Sequence, residues 1–283
     1  MGILYVVGTP IGNLSDMSER AINTLKNVDL IACEDTRTSS VLLKHFCIDK
    51  KLVSYHKFNE KEKSSSLIHD LLNGKDIALI TDAGCPCISD PGYILVKDAV
   101  ENNIEVISIP GPSAVITSLM CSGMDTSSFS FYGFLDREKK KMKEELLLIK
   151  NDSSNLSVIY ESPKRIINTL EIINEVLDNP NICLCNDLTK KFEKKYYGRV
   201  RDVLNTLHNN PNTELGEYVL IIEKSHEEKI ETKEENTIES LIVDEMIKNK
   251  ITMKDAIKVV NEKYHYNKNI VYDASLNLKK LFM

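Results

Sequence analysis

Short apolar runs alternate with longer stretches of helical periodicity over the first 123 residues. The apolar runs predict strands at 3–7, 29–32, 52–55, 77–81 and 104–109, and the helical patterns cover 18–26, 60–72 and 93–102. Strands that alternate with helices indicate a mostly parallel sheet covered on both faces. Because ligands bind at the carboxyl ends of such strands, the turns at those ends are the candidate site.

A second series of apolar runs and helical patterns begins near Met124. Further strands are predicted at 128–135, 156–163, 181–187 and 218–223, with helices at 138–150 and 166–177. This indicates a second α/β domain with a mixed sheet. Three short helices follow at 238–249, 253–264 and 268–281. We therefore assign an N-terminal α/β domain at 1–123, a second α/β domain at 124–225, a polar linker at 226–237 and a helical module at 238–283.

The composition is that of a globular protein, with 42% hydrophobic and 28% charged residues among 283. No apolar run approaches the ~20 residues that span a bilayer, and the first strand leaves no room for a signal peptide. We expect a cytoplasmic protein with no membrane partner. Seven cysteines, an odd number scattered through apolar runs, indicate a reducing compartment.

Two C-x-C pairs, Cys85 with Cys87 and Cys183 with Cys185, raise the question of a zinc site. Structural zinc pairs usually have two or more intervening residues, and the second pair lies in a predicted buried strand. We expect no metal.

The net charge of −6 excludes a uniformly basic nucleic-acid binder, yet basic residues are clustered. Residues 137–143 read REKKKMK and residues 190–201 read KKFEKKYYGRVR, with three aromatic residues interleaved. From Met246 to the end, eight lysines accompany only three acids. Such runs suit a phosphate backbone and stacked bases, although each one alone is equally typical of a solvated face.

Four distinctive turns follow the first, second, fourth and fifth strands: GTPIGN at 8–13, EDTR at 34–37, DAGCPCISDPG at 82–92 and PGPSA at 110–114. None is a G-x-G-x-x-G or a triphosphate-binding loop. GTPIGN, DAGCP and PGPSA contain no lysine or arginine, which favours an adenosine with an amino-acid tail over a polyphosphate. Asp90 is expected to cap the helix that follows Gly92.

The EDTR turn is the densest charged group beside this edge. A carboxylate of Glu34 or Asp35 could accept a proton from a hydroxyl, and Arg37 could hold a phosphate. Alternatively, Asp35 or Thr36 caps the following helix while Glu34 and Arg37 form an ion pair. The sequence is compatible with both interpretations.

Together, LYVVGTPIGNLSD, DLIACEDTRTS, TDAGCPCISDPG, PGPSA and FYGFL resemble the ribosomal RNA small subunit methyltransferase I family of the tetrapyrrole methylase superfamily. The resemblance extends through YESPKR and DLTKKFE to the helical end of the chain. It implies two α/β domains with a cofactor cleft between them and a small helical C-terminal module. It also implies methyl transfer from S-adenosyl-L-methionine to a cytidine 2′-hydroxyl in 16S rRNA, free or in the small ribosomal subunit, by a homodimer.

By this resemblance, the cofactor contacts lie on all the turns except EDTR and on two motifs of the second domain. They are Pro10, Gly12, Asp82, Ala83, Gly84, Cys85, Ile88, Ser113, Ala114, Glu161 and Leu188. As a hypothesis for catalysis, Glu34 or Asp35 accepts the proton and Arg37 positions the RNA.

The chain departs from the family pattern at a few places. Cys85 stands where the family usually has Thr, Lys164 where it has His, Asp136 where it has Pro, and Asn186-Asp187 where it has Arg-Glu. The sequence leaves three alternative functions: a small-molecule methylase acting on a tetrapyrrole, a nucleotide-dependent dehydrogenase, and a non-catalytic RNA-binding module. The basic runs argue against the first and the missing glycine motif against the second.

Overall fold

The computed structural model describes residues 1–224, 237–264, 266 and 268–281. These residues divide into two compact units, Met1–Lys224 and Ser225–Met283. Each unit has its own hydrophobic core. In the part of the chain that the structure describes, no helix is both long and apolar enough to cross a membrane.

The first half of the larger unit contains a five-stranded sheet in the order β3-β2-β4-β1-β5, with every pair parallel. Its strands are β1 Leu4–Val7, β2 Leu30–Cys33, β3 Lys51–Ser54, β4 Ile77–Ile80 and β5 Val106–Ile109. Its helices are α1 Glu19–Asn27, α2 Thr36–His45, α3 Glu60–Leu72, α4 Tyr93–Glu101 and α5 Ala114–Met120, with a 3-10 turn at Leu14–Asp16.

Burial on both faces explains the continuous apolar runs of this sheet. On β4, Ile77 and Leu79 pack into one hydrophobic cluster, while Ala78 and Ile80 pack into another on the opposite face. Successive side chains of a strand point to opposite faces, so a strand covered on both sides must be apolar throughout. The predicted parallel sheet is confirmed.

The second half of this unit contains a mixed sheet in the order β6-β7-β10-β8-β9. Its strands are β6 Phe129–Phe134, β7 Leu156–Glu161, β8 Asn181–Asn186, β9 Lys194–Arg199 and β10 Tyr218–Glu223. Its helices are α6 Lys139–Asn151, α7 Ile166–Leu177 and α8 Val200–His208. Only β6 and β7 pair in parallel, and β10 lies between β7 and β8.

Strand β9 and helix α8 were not predicted from the sequence. Most side chains of β9 are exposed because it is an edge strand, so it lacks the apolar run that marks the buried strands. The basic run at 190–201 is thus mainly an edge strand and not a loop. Tyr196 packs against the hydrophobic core, whereas the Tyr197 hydroxyl donates to the Cys121 carbonyl at 2.9 Å.

The smaller unit contains the three helices predicted at the end of the chain, α9 Ile238–Asn249, α10 Met253–Tyr264 and α11 Lys268–Leu281. Leu241, Ile242, Val260 and Val271 form the centre of its core. The Thr252 hydroxyl accepts from the Asp255 amide at 3.4 Å and donates to its carboxylate at 2.6 Å. The predicted linker lies outside the described residues except for Thr237, whose side chain caps α9.

Candidate active site

The turns after β1, β4 and β5 form one continuous surface. Thr9 and Gly84 exchange backbone hydrogen bonds of 2.8 and 3.1 Å, which tie the β1 turn to the β4 turn. Gly8 and Gly111 lie in direct contact, since a Cβ atom on Gly8 would stand 2.8 Å from the Gly111 Cα. Glycine at both positions lets the β1 and β5 turns approach this closely.

A cavity of about 360 Å³ lies between this surface and the second sheet, a size typical of small-molecule sites. Most of the predicted cofactor residues line it. They are Ala83, Gly84, Cys85, Ile88, Ser113, Ala114, Glu161 and Leu188.

Three predicted cofactor residues lie outside the cavity wall. Pro10 is buried beside it. Gly12 faces the loop after β8, since a Cβ atom there would stand 2.8 Å from the Thr189 Oγ1. Asp82 accepts a hydrogen bond of 3.2 Å from the Asp35 amide, which connects the β4 turn to the EDTR turn. These residues therefore position the turns that do form the wall.

Sequence reasoning missed about half of the cavity wall. The additional residues are Ile11, Ser89, Asp90, Phe134, Tyr160, Ser162, Pro163, Glu217, Tyr218 and Val219. Several of these belong to the FYGFL and YESP motifs, which could have pointed to them. Residues 217–219 carry no local signal, because the pairing of β10 with β7 and β8 brings them to the site.

Cys85 occupies the wall where the family usually has threonine. Burial raises the pKa of its thiol, so the thiol stays protonated, and it donates a hydrogen bond to the Pro112 carbonyl at 3.4 Å. A hydroxyl could make the same contact. The substitution thus keeps a small donor that links the β4 and β5 turns.

Glu161 is buried at the end of β7 with its carboxylate held from several sides. Oε1 accepts from the Ser162 amide at 2.7 Å and lies 3.3 Å from Arg165 Nε, while Oε2 accepts from the Thr169 hydroxyl at 2.6 Å. Charge-assisted hydrogen bonds of this kind are short and strong. They hold the Glu161 carboxyl group in one orientation at the cavity wall.

Asn186 and Asp187, which depart from the family pattern, support the opposite wall. Asn186 Nδ2 donates to the carbonyls of Leu215 and Glu217 at 3.2 and 3.4 Å. Asp187 Oδ1 and Glu217 Oε2 both bind Lys190 Nζ, at 3.0 and 2.9 Å. The two residues hold the turn that leads into β10.

In the EDTR turn, Asp35 has the capping role that one of the two interpretations foresaw. Its side chain accepts from the Arg37 amide at 2.8 Å and pairs with the Arg37 guanidinium at 2.7 Å. The hydrogen bonds from Arg37 lower the pKa of Asp35 to about 2. Asp35 is thus a weak base. Glu34 does not pair with Arg37 and instead accepts from the Thr81 hydroxyl at 3.0 Å.

Asp90 does not cap a helix, contrary to the expectation from the sequence. The N-cap of α4 is Gly92, whose φ of 142° favours glycine, and no side chain caps this helix. Asp90 instead lines the cavity. Burial, followed by the charge of Glu34, raises the pKa of its carboxyl to about 6.

The thiols of Cys121, Cys183 and Cys185 lie together beneath the cavity, with Cys185 Sγ 3.9 Å from Cys121 Sγ and 3.8 Å from Cys183 Sγ. They belong to the hydrophobic cluster that packs below the turns. Among the described residues no group of side chains has the arrangement of a metal site.

Several known proteins are similar to the chain over most of its length. The family described as Tetrapyrrole (Corrin/Porphyrin) Methylases matches residues 3–204. "Ribosomal RNA small subunit methyltransferase I" of Bacillus subtilis is 41% identical over 97% of this chain and 94% of its own length. The protein of the same name from Haemophilus influenzae is 41% identical over 97% of this chain and 96% of its own.

The chain belongs to the ribosomal RNA small subunit methyltransferase I family. The resemblance of the motifs to this family is therefore confirmed. S-adenosylmethionine, the methyl donor that the resemblance implied, is confirmed as well.

Solved structures of other methyltransferases share the fold. Diphthine synthase superimposes with a TM-score of 0.63 at 11% identity, covering 79% of this chain and 90% of that one. Uroporphyrin-III-C-methyltransferase from Thermus thermophilus gives a TM-score of 0.54 at 16% identity, covering 79% and 95% of the two chains. At these identities the likeness shows the fold alone, and it confirms the predicted tetrapyrrole-methylase-like architecture.

Proposed function

We propose that this methyltransferase transfers a methyl group from S-adenosylmethionine to the 2′-hydroxyl of a cytidine in 16S rRNA. The observation that carries the proposal is the charge of the cavity. Glu161, Glu217 and Asp90 line it, and among its lining residues in the described chain there is no lysine or arginine. Such a site suits a ligand that is itself a cation. When bound, S-adenosylmethionine supplies a sulfonium methyl group with no further activation.

The cofactor residues proposed for this chain are the ones predicted above. The backbone groups of Gly84 are already paired with Thr9, so we propose that the backbone of Ala83 and the amide of Ser113 bond to the cofactor. Four further residues give the wall an apolar surface: Ile11, Ala114, Leu188 and Val219. Such walls suit an adenosine, and the backbone groups fix its orientation. Pro10, Gly12 and Asp82 hold the turns in place.

The side of the cavity toward β2 is proposed to receive the RNA. Asp90 lines the cavity, and the charge of Glu34 in the EDTR turn raises the pKa of its carboxyl group, so this turn lies near that side of the cavity. The side chain of Arg37 is 90% exposed there, although it pairs with Asp35. We propose that Arg37 contacts a phosphate next to the target nucleotide, and that the chain acts in the cytoplasm as a homodimer.

The alternative substrates are less well supported. A tetrapyrrole would not require the basic surface of β9, where Lys194, Lys195 and Arg199 project from an edge strand. A dehydrogenase is disfavoured because the chain belongs to a methyltransferase family and lacks the glycine motif. A non-catalytic RNA-binding module would not need the cavity.

The proposed function is tested with radioactive S-adenosylmethionine, naked 16S rRNA and small ribosomal subunits from cells that lack this protein. Labelled RNA is digested with alkali, which cleaves beside a free 2′-hydroxyl and not beside a 2′-O-methyl group. We expect an alkali-resistant dinucleotide that contains methylated cytidine. Label in an alkali-sensitive nucleotide would indicate base methylation and contradict the proposal, as would no labelling of either RNA.

Replacing Arg37 with glutamine is expected to weaken binding of rRNA several-fold with little change in cofactor affinity. If Arg37 contacts one phosphate, the dependence of log affinity on log salt becomes shallower by about 0.7 for single-stranded RNA. The matched control is Arg20→Gln, since Arg20 lies with Tyr5 and Asp76 at the opposite end of the sheet. An unchanged salt dependence in Arg37→Gln would show that Arg37 only stabilises the Asp35 cap.

A further inference from the structure

Asp90 is the only acid that lines the cavity and also neighbours the EDTR turn within the part of the chain that the structure describes. It lies three residues before the first residue of α4, where it neither caps the helix nor belongs to a strand. The loop DAGCPCISDPG thus lines the cavity along most of its length, from Ala83 near its beginning to Asp90 near its end.

Three other acids near the cavity have cationic partners. Glu161 lies 3.3 Å from Arg165, Glu217 lies 2.9 Å from Lys190, and Asp35 lies 2.7 Å from Arg37. Glu34 and Asp82 form no ion pair with the described residues, but they lie outside the cavity wall. Asp90 forms no ion pair with the residues that the structure describes. A carboxylate paired with a cation is stabilised as the anion and accepts a proton poorly. Asp90 lacks this stabilisation.

Thr81 connects Asp90 to Glu34. Its hydroxyl donates to Glu34 Oε2 at 3.0 Å, and the same hydroxyl lowers the pKa of Asp90. A hydroxyl has one proton to donate, so it cannot satisfy both acids when both are ionised. A protonated Asp90, by contrast, could donate to the threonine oxygen while Thr81 continues to donate to Glu34. The arrangement therefore accommodates one additional proton.

We propose that Asp90 is the catalytic residue that accepts the proton of the ribose 2′-hydroxyl during methyl transfer, and that Thr81 and Glu34 position its carboxyl group. This inference rests on the proposed function. A bond forms between the ribose O2′ and the methyl carbon, and the bond between that carbon and the sulfonium sulfur breaks with its electron pair going to sulfur. The hydroxyl proton passes to Asp90, which becomes neutral.

The electrostatics of the loop are consistent with this role. Burial and the charges of Glu34 and Asp82 raise the pKa of Asp90 to about 6, although Thr81 lowers it. In turn, Asp90 contributes to the raised pKa values of Cys85, Cys87 and Tyr160, which face it from the same loop and from β7. A base titrating near neutrality is ionised at working pH and still attracts a proton, as general-base catalysis requires.

The test compares Asp90→Asn with wild type in single turnovers on the RNA that wild type methylates, at saturating S-adenosylmethionine. We expect the rate to fall by about 10²–10⁴-fold, the range typical of proton-transfer catalysis. The dissociation constant for RNA should change little. The dissociation constant for the cofactor should rise by far less than the rate falls, since the variant removes only one of the three acids of the cavity wall. The wild-type rate should rise with pH and level off above about pH 6, and this inflection should be absent from the variant. Asp90→Glu should recover part of the rate.

A second readout does not depend on activity. The pKa of Asp90 is higher in the folded than in the unfolded chain, so ionisation of Asp90 opposes folding. Protonated Asp90 therefore stabilises the folded chain at low pH, and this stabilisation is lost as the pH rises through about 6. Asp90→Asn should therefore melt at a higher temperature than wild type near pH 8, with no such gain near pH 4. A residue needed only for the structure would show destabilisation. Asp49→Asn, an exposed acid before β3, is the matched control for both readouts.

The outcomes separate the two proposals. If wild type fails to methylate rRNA, the proposed function is wrong, and so is the proposal that Asp90 accepts the ribose proton. If wild type is active and Asp90→Asn is equally fast at every pH, only the inference about Asp90 is wrong. Weaker cofactor binding with an unchanged saturated rate would instead make Asp90 a cofactor ligand. Should the asparagine variant fail to fold, Asp90→Ser is measured in the same way.

Discussion

Replacing Ala114 with tryptophan is expected to abolish binding of S-adenosylmethionine while the chain remains folded. Ala114 is the first residue of α5 and lines the cavity beside Ser113. An indole at this position would occupy space that the cofactor needs, in a cavity of about 360 Å³. We expect at least a 100-fold loss of affinity, or about 2.7 kcal/mol, measured by isothermal titration calorimetry. Methyl transfer should fall in parallel at limiting cofactor.

The matched control for this prediction is Ile116→Trp. Ile116 lies two residues further along α5 with 48% of its surface exposed, so a tryptophan there adds the same bulk to the same helix without entering the cavity. Its cofactor affinity should equal that of wild type. Circular dichroism and thermal melting of both variants check the fold. Cofactor binding by Ala114→Trp within threefold of wild type would show that the cofactor lies elsewhere.

The features predicted well from the sequence are those fixed by local periodicity. Strands β1 and β4 are apolar because both of their faces are buried, and this leaves a continuous run in the sequence. The three C-terminal helices begin and end where the apolar period does. The turns that line the cavity were predictable for a related reason, since glycine and proline mark the places where parallel strands end.

The features missed depend on contacts between distant parts of the chain. The SDPG sequence is typical of a helix start, and locally nothing distinguishes Asp90 from a cap. The role proposed for Asp90 depends on Glu34, which lies in the turn after β2, and on Thr81, whose hydroxyl donates to Glu34. Likewise, Glu217 reaches the cavity only because β10 inserts between β7 and β8. A residue's neighbours across a sheet are not encoded in its own segment.

Neutralising three lysines of the C-terminal unit is expected to weaken binding of rRNA without affecting the cofactor. Lys254 and Lys258 are exposed one turn apart on α10, and Lys250 is exposed at the C-cap of α9. By contrast, Lys248 and Lys263 pair with Asp244 and Glu245. Lysines one turn apart lie on the same face of a helix, and exposed ones are available to phosphates.

We assume that each of the three lysines contacts one phosphate. Binding of single-stranded RNA to the glutamine variant then releases about 0.7 fewer counterions for each contact that is lost. The slope of log affinity against log salt should then become shallower by about two units, so that affinity near 0.1 M salt falls by up to ~100-fold. Cofactor affinity should not change, because Ala83, Gly84 and Ala114 belong to the other compact unit. Binding is measured by fluorescence anisotropy over a range of salt concentrations.

The control for the C-terminal variant neutralises Lys26, Lys75 and Lys97, which changes the net charge equally at positions on α1, before β4 and on α4. If the effect came from net charge alone, both triple variants would lose affinity to the same extent. If the C-terminal unit binds the RNA, only Lys250, Lys254 and Lys258 shift the salt slope. An unchanged slope in that variant, with its helices intact by circular dichroism, would mean that this unit serves another partner and that the RNA is held by the unit carrying the cavity and β9.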